Sequence, residues 1–157
     1  MSVPALGPRG EGWVAVQLVL FAAIGLTGLA SVLGGGAGAP LTAIAGGVFI
    51  TVGLLVVAGG AAALGSNLTP FPRPRQAATL VETGAYRYVR HPIYSGLVLA
   101  SVGWSMATAA PQALVPTALL ALLFDVKSRR EEAWLSEQLP GYEAYRERTA
   151  KFVPGVY

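Results

Sequence analysis

Gly84-Ala-Tyr-Arg-Tyr-Val-Arg-His-Pro-Ile-Tyr-Ser-Gly96 takes the chain from a polar segment into an apolar one. It holds the only histidine, His91, with Arg87, Arg90 and three tyrosines. Pro92 biases His91 towards an extended backbone and suits the first turn of a helix. A helix is therefore expected to start at about Ile93 and to run through uncharged residues to Ala110. A polar aromatic cluster at the mouth of an apolar helix points to a polar ligand handled at a membrane boundary.

Composition sets the surroundings. Of 157 residues, 54% are hydrophobic and 12% charged, against roughly 45–50% and 25% in soluble domains. Net charge is +3, but the basic residues lie between apolar runs, as in loops facing an anionic cytoplasmic leaflet. Without a basic stripe to track phosphates, nucleic acid is not an expected partner. The chain has no cysteine, which excludes disulfides, thiolate ligands and a cysteine nucleophile. A lone histidine and scattered carboxylates give no metal-ligand spacing, so no metal is expected.

Working outward, Trp13–Leu33 is an uncharged run of 21 residues, about 31 Å as a helix against a hydrocarbon core of ~30 Å. Trp13 is placed to anchor its end at the interface. Ala37-Gly38-Ala39 resembles a signal-peptide cleavage site, but signal apolar regions run to ~7–15 residues. The run is read as a retained first span. A second apolar run, Leu41–Leu64, is studded with glycines, among them Gly46, Gly47, Gly53, Gly59 and Gly60. These are assigned to close helix packing and to no chemistry.

Between Gly65 and Pro92 lies the longest polar segment, where Pro70, Pro72 and Pro74 forbid a regular helix. Its arginines Arg73, Arg75, Arg87 and Arg90 mark it as cytoplasmic. After the third helix, Pro111-Gln112 makes a turn and a fourth apolar helix runs to Val126. Both are short for a crossing, about 27 and 23 Å, so a shallow hairpin or thinned bilayer is expected. The fourth helix continues as a polar one, with Asp125/Arg129 and Lys127/Glu131 at i,i+4 spacing. Leu135 and Leu139 share one face, and Pro140-Gly141 stops the helix. Tyr142–Thr149 reads as a second short helix. The expected architecture is one all-α membrane domain, 1–157, with four spans, both termini and the 65–92 loop cytoplasmic, and a cytoplasmic helical tail.

That hairpin brings the 84–96 stretch to the adjacent carboxylates Glu131 and Glu132. Arginine can grip a carboxylate, glutamate can accept ribose hydroxyls, and tyrosine faces can stack on a base or a cation. Backbone N–H groups after Pro92 can meet an anion.

Arg90-His91-Pro92-Ile93-Tyr94-Ser95-Gly96, led by Gly84-Ala85-Tyr86-Arg87-Tyr88 and followed by Glu131-Glu132, resembles the isoprenylcysteine carboxyl methyltransferase family. That family is similar in its core to the phospholipid N-methyltransferases. Gly141-Tyr142-Glu143-Ala144-Tyr145-Arg146 with Phe152-Val153-Pro154 matches its C-terminal pattern. The resemblance covers roughly residues 65–154, after two N-terminal spans at 13–64. Three separated pieces in the right order make it specific. It implies an S-adenosylmethionine-dependent integral membrane enzyme, with the cofactor in a cytoplasmic pocket and a lipophilic small molecule or lipid arriving from the bilayer. Members often carry proline at Ala85 and Pro-Arg at Ala150-Lys151. The second departure replaces a guanidinium fork by a point charge. With only two helices before the core, a small lipophilic acceptor is favoured over a prenylated protein.

Carried over by the resemblance, Tyr86, Arg90, His91, Pro92, Tyr94, Gly96, Glu131, Glu132, Tyr145 and Arg146 are the candidate cofactor residues. Arg90 and Glu132 are the candidate catalytic pair. His91 is expected to contact cofactor rather than act as a base, because methyl transfer to a carboxylate or thiolate needs no strong base. Arg90 is expected on the methionine carboxylate, with lipid phosphate as its other partner. Tyr86 and Tyr94 line the pocket or join an interfacial aromatic belt. Glu131 and Glu132 point about 100° apart on a helix; Glu132 is expected to face the ligand and Glu131 to sit in salt bridges. Tyr145 and Arg146 are either lid or surface, and Gly96 also suits close packing. Two alternatives stay open. Sterol reductases resemble the same core and would use NADPH, which calls for further basic residues. A non-catalytic membrane scaffold would keep its role when His91 and Glu132 are replaced.

Overall fold

The computed structural model describes residues 3–36 and 38–156. Ala37, in the cleavage-like tripeptide and the turn around it, lies outside them, as do Met1, Ser2 and Tyr157. The described residues form five α-helices and no strand: α1 (Glu11–Leu33), α2 (Pro40–Leu64), α3 (Pro92–Ala107), α4 (Leu114–Gln138) and α5 (Tyr142–Arg148). Short 3-10 turns occupy Gly65–Asn67, Gly84–Arg87 and Pro111–Ala113.

Helices α1 and α2 are long and apolar enough to cross a membrane. Their outer faces expose Leu18, Val19, Leu26, Leu33, Leu41, Ile44 and Leu55. Such a continuous apolar surface is a liability in water and the ordinary state in lipid. Trp13, expected as an interfacial anchor, is instead buried, and its indole N–H donates to Pro4 O at 3.2 Å.

Sequence explains the tightest contact. On α2, Gly46, Gly53 and Gly60 recur every seven residues and so share one face, which meets Gly96 and Gly103 of α3. A Cβ on Gly53 would lie 2.5 Å from Gly96 O, and one on Gly103 2.6 Å from Gly46 O. The two backbones touch, as small residues permit in membrane helices. Gly47 and Gly59 have no neighbour within 4 Å of an added Cβ; they face outward.

Helix α3 ends at Ala107, three residues before the expected Ala110, and at sixteen residues rises only about 24 Å. Against it and α1, α4 buries Leu120 and Phe124 beside Ile24. Helix α4 is one continuous rod of 25 residues, about 37 Å, whose second half is the polar extension. Leu139 closes it, and Gly141, at φ +85°, reverses the chain as few other residues can. After α5 the tail returns alongside residues 88–91: Arg90 N–H donates to Ala150 O at 2.9 Å and His91 N–H to Lys151 O at 3.1 Å. Lys151 is buried and pairs with Asp125 Oδ1 at 2.5 Å. The lysine that departs from the family's pattern therefore fastens the tail to α4.

Candidate functional site

The first turn of α3, the middle of α4 and the returning tail meet at one end of the bundle. Pro92, buried at the first helical position, sets His91 just outside the helix. One turn on, Tyr94 projects the same way, and its ring lies 5.4 Å from His91, 6° from parallel. Phe124 stacks on the other face of that layer, 4.4 Å from Tyr94.

Glu132 is the hub. Arg90 Nε donates to its Oε1 at 2.9 Å, and His91 Nε2 lies 3.0 Å from the same oxygen. Arg90 also donates through Nη1 to Arg146 O at 3.0 Å and to Thr149 O. Burial works against charge on Glu132, but the hydrogen bonds and charges of His91 and Arg90 outweigh it and hold the carboxyl at about 2. Glu131 turns differently: its Oε2 accepts from Tyr94 OH at 2.7 Å and lies 4.0 Å from His91 Nδ1.

Beside this network is a cavity of about 370 Å³, within the ~300–1,000 Å³ of small-molecule sites. One wall is the proline-rich loop through Leu68, Pro70, Phe71, Leu80 and Val81; the other is α3 and α4. Polar groups reach it from Asn67, His91, Tyr94, Lys127 and Glu131. Burial raises the phenol of Tyr86, with Glu131 adding to it, and pushes Tyr145 up to about 12. Both remain neutral hydroxyls with apolar faces. Burial also presses the Lys127 ammonium down to about 8, against the pull of Glu131.

Of the residues singled out by sequence, Tyr86, Arg90, His91, Tyr94, Glu131 and Tyr145 border the cavity. Four do not. Pro92 is packed beneath it, Gly96 lies against Gly53 of α2, and Arg146 turns to Glu143 at 3.3 Å. Glu132 is the fourth, and its position inverts the expected division of the two glutamates. Arg90 and His91 already claim Glu132, while Glu131 stands on the cavity wall. Arg90, expected to grip a ligand carboxylate, spends its fork on Glu132 and two tail carbonyls.

Sequence reading passed over Gln17, Asn67, Lys127 and Tyr142, all on the wall. For Lys127 a signal existed: the i,i+4 spacing read as a Lys127–Glu131 pair also puts both on one face with Leu135. That face lines the cavity, and Lys127 donates to Gln17 Oε1 and Pro70 O instead.

Residues 41–140, from the start of α2 through the end of α4, match the phospholipid methyltransferase family. The chain belongs to that family. The match contains Arg90, His91, Tyr94, Lys127, Glu131 and Glu132 and stops just short of α5. Among curated proteins, the chain is 34% identical over 84 residues to the cobalt-zinc-cadmium resistance protein CzcN of Cupriavidus metallidurans, covering 51% of this chain and 38% of that protein. It is 32% identical over 81 residues to the nickel-cobalt-cadmium resistance protein NccN of Alcaligenes xylosoxydans xylosoxydans, with the same coverage. The aligned part is thus well under half the length of either relative. No solved structure matches the chain. Family and apolar helices together make this a membrane protein of a methyltransferase family.

Proposed function

We propose that the chain is an S-adenosylmethionine-dependent methyltransferase acting on a lipophilic small molecule or lipid at the cytoplasmic membrane face. The observation that carries it is the convergence of His91, Tyr94 and Glu131 on one cavity where apolar helix gives way to polar helix. The donor set fits the group. Aromatic faces from Tyr86, Tyr94 and Tyr145 suit a sulfonium and a purine, and Glu131 keeps acceptor capacity for ribose hydroxyls. When bound, S-adenosylmethionine supplies an electrophilic methyl on sulfur. The chain's own part is alignment and exclusion of water by the loop wall.

In this reading residues 65–154 form the catalytic core, preceded by two spans. Helix α3 and the apolar half of α4 are two further, short crossings, a thinner bilayer taking up their shortness. Both termini and the basic 65–92 loop face the cytoplasm. Arg90 and Glu132 hold His91 and the tail in place rather than touch the reacting atoms. Tyr86, His91, Tyr94, Glu131 and Tyr145 contact the cofactor.

Calorimetric titration of the purified chain in detergent with S-adenosylhomocysteine tests this. Saturable binding is expected, weakened about tenfold or more by Glu131→Gln, the scale of a lost hydrogen bond to a charged group. A folded protein that shows no saturable binding overturns the proposal.

A further inference from the structure

Lys127 presents a physical problem that its neighbours solve only in part. It is 1% exposed, yet among the described residues its ammonium donates to two neutral acceptors, Gln17 Oε1 at 2.7 Å and Pro70 O at 3.1 Å. An ammonium carries three N–H donors, one more than those two bonds use. The Tyr94 ring, 5.2 Å from Nζ, offers partial relief. Glu131, one turn along, attracts the charge without a direct ion pair, and its Oε2 holds the Tyr94 hydroxyl. Buried charges are ordinarily paired, because taking an ion out of water is expensive. Here the cation and its Gln17 partner both border the cavity.

We infer that Lys127 and Gln17 form an anion subsite that takes the carboxylate of a bound ligand, the role that sequence gave to Arg90. Gln17 suits this, since its amide nitrogen can donate to the same carboxylate whose charge Lys127 balances. The inference rests on the methyltransferase reading for one of two sources of the carboxylate, the methionine part of the donor. The other source is an acidic, lipophilic acceptor.

The test uses the full chain in detergent and three probes: S-adenosylhomocysteine, 5′-methylthioadenosine, which lacks the amino-acid part, and decanoate. Two variants are compared with wild type. Lys127→Met removes the cation. Gln17→Glu keeps Lys127 and its bond to Pro70, supports the fold with a new ion pair, and occupies the subsite from within. For a donor carboxylate, both variants weaken S-adenosylhomocysteine about 10- to 100-fold and leave methylthioadenosine unchanged. For an acceptor carboxylate, decanoate binding falls by that factor in both while S-adenosylhomocysteine holds. A Lys127 that merely tethers the loop predicts that Gln17→Glu retains or tightens every probe, and that result overturns the inference. Wild type that binds decanoate but no S-adenosylhomocysteine refutes the methyl-donor reading and leaves the subsite standing. Wild type that binds neither anion overturns both.

Discussion

Helix α3 meets α2 through bare backbone and meets α4 through charge, and the two contacts obey different rules. Against α2, Gly96 and Gly103 let carbonyl oxygens approach within van der Waals distance, and the contact consists of the absence of side chains. Against α4, three titratable side chains, Arg90, His91 and Tyr94, share two carboxylates within a few ångströms. The first contact needs the right size at five positions. The second needs every donor and acceptor satisfied at once, since a partly satisfied buried network is worse than an apolar one. Position along one sixteen-residue helix thus separates a scaffold from a site.

The largest expected effect breaks the scaffold. Gly53→Val places a branched side chain where even a Cβ would sit 2.5 Å from Gly96 O and 2.8 Å from Ala100 N. Ordinary overpacking costs ~1–3 kcal/mol because side chains can shift. Backbone cannot, so a loss above about 4 kcal/mol is expected, read as failure to give monodisperse folded protein in detergent. A normal thermal midpoint for this variant would mean that α2 and α3 do not touch as described.

The site should break next, and in a pH-dependent way. Glu132→Gln keeps the shape but leaves Arg90 and His91 without their carboxylate, at about 3 kcal/mol. The wild-type carboxyl is held at about 2 from an ordinary 4.5. Its contribution is therefore complete above pH 4.5 and drains away as pH falls towards 2. Thermal unfolding across that window should show wild type converging on the variant at low pH; a constant gap would exclude Glu132 as the titrating hub.

How much of this was legible follows the same divide. The glycine face could be read from spacing alone, since seven residues is two helical turns whatever surrounds them. So could the limits of α1 and α2 and the stop at Pro140-Gly141. The proximity of His91 to Glu131 and Glu132 also followed, because a short turn joins the helices that carry them. What could not be read was allocation. Which glutamate takes Arg90 and His91 depends on how α4 is rotated about its own axis, and its polar half repeats charges on every side. Arg90 donates to tail carbonyls at 146 and 149, which only the reversal at Gly141 brings within reach.

A smaller effect sharpens the account of the cavity wall. Tyr145 OH donates to Tyr86 O at 2.7 Å, both residues being buried. Tyr145→Phe should cost about 1 kcal/mol of stability, with S-adenosylhomocysteine binding weakened less than threefold, because the ring that faces the cavity is kept. A loss as large as that of Glu131→Gln would move the hydroxyl from holding the wall to holding the ligand.

The smallest effect carries the comparison furthest. Gly47→Ala and Gly59→Ala add the same methyl as Gly53→Ala, in the same helix, but into open space. Alanine in place of a helical glycine reduces the entropy lost on folding by ~0.5–1 kcal/mol, so the two outward variants should hold or raise the thermal midpoint while Gly53→Ala lowers it. Helix propensity is common to all three, so a difference in sign isolates the contact with α3. If the outward variants are destabilised as well, that face of α2 is packed against something other than lipid, and a second copy of the chain, detectable as a dimer by crosslinking in the membrane, becomes the partner to look for.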